Sequence, residues 1–239
     1  PACSGQLLTL RGPSVGNPTD PARFSPAALE IASRLPTTTD PCGQVTFGQA
    51  IDSDEGQYVG RLDYQLTDNN LLFGRYIGTT YVSPPPLRKT PDNLLAASRG
   101  GFDNIAQSLT LGNTWVLSSS AVNALRVAWN DTNIHRLHEG FFSAPEVGIR
   151  TYSFLDDYTV LNVTGGFNLG SAVQTEARYD TTTLQVGDDV TIVRGNHQLS
   201  FGANVARWAS FTTANVRAMG NFSINGQTTG LGLADFLLG

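Results

Sequence analysis

The chain has 239 residues, 15% of them charged and 40% hydrophobic, with 25 glycines, one methionine and a formal charge of −5. Its 15 Lys and Arg are scattered, which leaves it without the basic footprint of a nucleic-acid binder. No window approaches the ~18 apolar residues of a membrane-spanning helix, a test that says nothing of spanning by β-strands.

Helix formers such as Lys, Glu and Met are scarce, while Gly, Thr, Ser and Asn are plentiful, which is a β composition. Residues 1–55 read as a Pro/Gly-rich segment. Pro1, Gly5, Gly12, Pro13, Gly16, Pro18 and Pro21 leave room for one short strand, Gln6 to Leu10. A helix is expected from about residue 26 to 35. Ser25 is placed to cap it, Pro26 sits at its first position, and Ala28, Leu29, Ile31, Ala32 and Leu35 make an apolar stripe before Pro36 ends it. Barely three turns long, it must pack on a sheet or another chain. Residues 44–51 are expected to add a short strand. Cys3 and Cys42 read as a disulfide in preference to two free thiols, which implies an oxidising compartment. The start of the chain carries no basic region, apolar run and cleavage site, so it is expected to be mature or processed.

Residues 56–239 read as an antiparallel β domain. Tyr58, Gly60, Leu62, Tyr64 and Leu66 alternate with Val59, Arg61, Asp63 and Gln65. The polar Thr67-Asp68-Asn69-Asn70, expected to favour positive φ, leads to a second strand, Leu71 to Val82. Ser83-Pro84-Pro85-Pro86 ends it. Residues 84–106 are expected as a long loop with a helical turn at Leu94 to Ala97. A second hairpin follows, Ser108 to Leu117 and Ala121 to Ile134, joined at Ser118-Ser119-Ser120. Residues 135–180 read as an excursion with short strands near Thr151 to Leu155 and Tyr158 to Val163. The third hairpin spans Thr181 to Ile192 and Gln198 to Thr213, turning at Arg194-Gly195-Asn196-His197. Asn221 to Asn225 is expected as a strand, and Leu231 to Leu238 as a short helix or strand. The fold class is therefore all-β, with about 8 to 10 strands in up-and-down hairpins that form a barrel or barrel-like sheet.

Signals for chemistry are weak. His135 and His138 have no further ligands in view, and the paired Asp156-Asp157 and Asp188-Asp189 point to opposite faces if extended. No nucleophile elbow, phosphate loop or dinucleotide fingerprint appears, so we expect no enzyme, no cofactor and no metal. Trp115, Trp129 and Trp208 are candidates for a membrane-interface girdle or for core or inter-subunit packing, and the C-terminal Phe236, Leu237 and Leu238 for assembly or packing. Arg61, Arg75, Arg126 and Arg207 lie within strands and must face a lumen, solvent or a partner.

In order, GQYVGRLDYQLTDNNLLFGRY at 56–76, GNHQLSFGANVARW at 195–208 and GLGLADFLLG at 230–239 resemble the early barrel of the Oar-like TonB-dependent receptor family. Phe24-Ser25-Pro26-Ala27-Ala28-Leu29, followed by Leu35-Pro36, resembles the stretch ahead of its first barrel strands. The resemblance implies an outer-membrane or extracellular protein of a didermic bacterium. Family members are barrels with an internal plug that bind or import large ligands using energy passed from the inner membrane. Beside them the chain is expected to be an early-barrel piece without signal segment, plug or later strands. Two readings follow: a structural subunit that assembles with copies of itself through open strand edges into a multimer or filament, or a fragment of a transporter.

Overall fold

The computed structural model describes residues 10–11, 21–173 and 175–239. Six long strands form one antiparallel sheet: β1 (Asp54–Thr67), β2 (Asn70–Ser83), β3 (Gly101–Ser118), β4 (Ala121–Leu137), β7 (Ala177–Arg194) and β8 (His197–Ala214), in the order β1-β2-β3-β4-β7-β8. Between β4 and β7 lie β5 (Val160–Val163) and β6 (Asn168–Leu169). The three expected hairpins are present and lie side by side. They turn at 68–69, 119–120 and 195–196, and the long connections 84–100 and 138–176 gather at the opposite end. The first hairpin turns without the expected positive φ: among the described residues other than glycine only Arg217 has one. An irregularity in register between Gln65 and Thr67 supplies the extra twist that such a turn needs.

Several expected boundaries move. β3 begins at Gly101, seven residues before Ser108, where the polar Asp103, Asn104 and Gln107 hide the alternation. Residues 44–51 form no strand, nor do residues 151–155. The expected strand at Gln6 to Leu10 lies outside the described residues except for Leu10, which is in none. Asn221 to Asn225 does form a strand, β9 (Asn221–Ile224), but it runs parallel to β5 in a separate three-stranded sheet ordered β6-β5-β9.

The hydrophobic core sits outside the large sheet. Helix α1 (Pro26–Ser33) and helix α2 (Gly232–Leu238) pack with β5, β6, β9 and the loop 138–159 around Ile31, Phe142, Val147, Leu161, Leu169 and Phe236. Full burial of each such side chain contributes roughly 1.5–3 kcal/mol, enough to hold helices too short to stand alone. Ser25 makes no side-chain cap; its backbone N–H donates to the Leu237 carbonyl (2.8 Å), tying α1 to α2. Arg34 joins α1 to the loop by donating to Glu30 and Glu146, both at 2.9 Å. Tyr158, 1% exposed, links two connections: its hydroxyl donates to the Ala97 carbonyl (3.2 Å) and accepts from the Ser171 N–H (2.9 Å). Burial pushes this phenol's pKa above its ordinary value.

Asp235 closes this rim module. Its carboxylate accepts from the Thr229 N–H (2.7 Å), the Thr229 hydroxyl (2.5 Å) and the Thr228 N–H (3.0 Å). Burial alone would raise its pKa, but these hydrogen bonds and the charge of Arg11 outweigh that and hold it below the usual carboxylate value. A depressed carboxyl stabilises the fold above its unfolded pKa of about 3.9 and loses that contribution as pH falls through the folded value. Asp235→Asn is therefore expected to cost on the order of 1 kcal/mol at neutral pH. Hydrogen exchange at Thr228 and Thr229 should accelerate in the variant, and its stability should vary less with pH in the acid range; unchanged protection would contradict this role.

Candidate functional site: the two faces of the sheet

Of the buried hydrophobic side chains among the described residues, only Ala177 belongs to the six-stranded sheet. Leu62 (81% exposed), Val205 (73%) and Phe211 (65%) stand open on it. A sheet in water hides one face against a second layer; among the described residues this one has none.

The register sorts the side chains. One face carries Tyr76, Leu109, Trp129 and Leu184 in one row across β2, β3, β4 and β7. The next row toward the tight turns carries Leu111, Val127, Val186 and Val205 across β3, β4, β7 and β8. A further row holds Trp115, Val190 and Phe201. Asn113 and Asp188 interrupt this belt, and each is satisfied locally. The Asn113 amide donates to Asn70 (2.7 Å), and Asp188 accepts from Asn123 (2.6 Å). Toward the long connections the same face turns polar at Gln107, Asp131 and Thr182. There Tyr76 donates to Gln107 (2.9 Å) and Thr182 to Asp131 (2.7 Å).

The opposite face is largely polar. Arg61 donates to Asp63 through two bonds of 2.8 Å and lies 4.5 Å from the centroid of the Phe73 ring. Arg126 donates to Asp189 at 3.1 Å, and Ser108 to Asn130 at 2.7 Å. Thr110, Gln185, Asn204, Ser200 and Thr191 share this side. At Gly112 a side chain would collide with the Phe73 ring, so glycine is what lets that ring lie flat.

Arg61, Arg75 and Arg126 thus stand together on the polar face, as their charge demands. Arg207 does not: it shares the row of Leu184 and Trp129 on the apolar face, one step from the polar band into which its long side chain can reach. Trp115 and Trp129 lie on the apolar face, and Trp208 on the polar one, 67% exposed. Phe236 is buried in the rim core, with Leu237 packed partly against it, and Leu238 ends α2. Asp188 and Asp189 do point to opposite faces. His135 and His138 approach different carboxylates, Glu176 (3.6 Å) and Asp157 (3.3 Å). Cys3 lies outside the described residues, so its expected pairing with Cys42 is outside them too. The sorting into faces needed the register, which alternation within single strands does not carry.

The sheet therefore presents an apolar belt on one side, polar and charged side chains on the other, tight turns at one end and long connections at the other. A comparison with family models matches an outer membrane beta barrel domain over residues 1–239. Comparisons with curated proteins and with solved structures gave no match. Fold, sidedness and family match agree on an outer-membrane location, and the chain belongs to the outer membrane beta barrel domain family.

Proposed function

We propose that the six strands form wall of a TonB-dependent-receptor-type barrel that binds or imports a large ligand, with the Val186 face against lipid and the Arg126 face lining a water-filled interior. The observation that supports this reading is the sheet with one largely apolar face, one largely polar face and, among the described residues, no buried core of its own. Lipid serves as the second layer, while an aqueous interior accommodates the arginines. The ordered motifs at 56–76, 195–208 and 230–239 favour the receptor type. The rim module, at the end with the long connections, lies on the outer side of the membrane, where such barrels carry their long loops. The reading assigns no catalysis to the chain.

Neither β1 nor β8 has a second strand partner among the described residues, and an open edge does not persist in a bilayer. Further wall strands satisfy both edges in the receptor reading. A second reading is favoured by the strand count. With six strands, β1 and β8 run in opposite directions, so a copy standing the same way up adds its β1 to β8 as an antiparallel pair. Such head-to-tail pairing yields a closed ring of subunits or an open filament. The Cys3–Cys42 disulfide belongs to both readings, as a staple in an oxidising compartment.

In protein folded into lipid vesicles, Val186→Arg is expected to destabilise the barrel by about 2–4 kcal/mol in urea unfolding, while Gln185→Arg, its neighbour on the other face, changes stability little. Equal costs would sink the assignment of faces. Electron microscopy of detergent-free material separates the two readings: regular filaments support self-assembly, and a lone barrel soluble only in detergent rejects it. Mass measurement without reductant should find the chain two hydrogens lighter than its reduced form, and two free thiols would refute the disulfide.

A further inference from the structure

The polar face carries a recess of about 410 Å³ between β3, β4, β7 and β8, lined by Thr110, Arg126, Gln185, Gly187, Asp189 and Asn204 among others. Two glycines shape it. At Gly187 a side chain would meet nothing closer than 3.8 Å, so its absence leaves open space. At Gly202 that space is filled by the Asp189 carboxylate, which Arg126 holds from the neighbouring strand. The two charges cancel locally, so the recess favours neither a cation nor an anion.

What remains is hydrogen-bonding capacity. The amides of Gln185 and Asn204 make no hydrogen bond among the described residues, and each offers both donors and an acceptor. The Thr110 hydroxyl adds one more of each. Along β8, four residues from Asn204 and about 13 Å away by strand rise, Trp208 stands 67% exposed on the same face, with no ring partner among the described residues. A bare indole on the same face as neutral donor–acceptor groups, about 13 Å along the strand from Asn204, matches a molecule with an apolar C–H face and a rim of hydroxyls. The separation calls for a chain of such units.

We propose that this face binds a neutral oligosaccharide, with one sugar in the Gly187 recess against Gln185 and Asn204 and another stacked on Trp208. The inference rests on the reading of this face as the lining of the interior, and it names the class of ligand that passes or docks there.

The test is titration of the full chain in detergent solution with maltohexaose, read by tryptophan fluorescence and calorimetry, with hexaglycine as a polar chain that has no sugar rings. Saturable binding of maltohexaose alone is expected. Asn204→Ala should weaken it about tenfold, the worth of one or two hydrogen bonds. Gly187→Val, by filling the recess, should do the same or more, and Trp208→Ala should weaken it while Trp208→Phe retains most of it. Absence of saturable binding, equal binding of hexaglycine, or indifference to Asn204→Ala would overturn the proposal. Insertion into vesicles is measured separately. Normal insertion without sugar binding rejects the ligand and leaves the wall; sugar binding without insertion rejects the wall and leaves the ligand.

Discussion

The structure depends on a sheet that satisfies the backbone hydrogen bonds between its strands but not its side chains. Six strands of 14 to 18 residues pair in register almost from end to end, yet among the described residues their large apolar side chains meet no second layer of protein. In water such a surface would be an aggregation hazard. In a bilayer it is in its proper solvent, because pairing between strands removes most of the backbone polarity that hydrocarbon cannot accommodate, and alternation delivers most of the large apolar groups to one face. The same alternation sends Arg61, Arg75 and Arg126 to the other face, where water or a ligand can solvate them.

The rim module answers a different problem. Strand pairing alone leaves the ends of long hairpins free to fray, and the two long connections here number 17 and 39 residues. They are folded into a compact unit by Tyr158, which bonds across both, and by the cluster around Ile31, Phe142 and Phe236. The chain thus divides its apolar residues by solvent: those in the rim bury one another as in a water-soluble domain, and those in the sheet stay exposed.

Much of this was legible in the residues. The three hairpins follow from period-two alternation, and α1 from Pro26 and the stripe through Ile31. The early start of β3 was not, because in its first residues polar Asp103, Asn104 and Gln107 mix with Phe102, Ile105 and Ala106 on both faces and alternation carries no signal. Nor was the parallel pairing of β5 with β9, which joins segments some 60 residues apart through strands of four residues each. The candidate site was half legible. Charge in Arg126 demanded a polar side, but whether Trp208 and Arg207 fell with it depended on their cross-strand neighbours. Those neighbours place the tryptophan on the polar face and the arginine opposite.

The separation of faces is tested most directly by variants that keep one tryptophan at a time, folded into vesicles whose acyl chains carry bromine as a quencher. Emission from Trp115 and Trp129 is expected to be quenched by the brominated chains and shielded from aqueous iodide, while Trp208 shows the reverse. Quenching of Trp208 by the lipid, or the same response from all three, would contradict it.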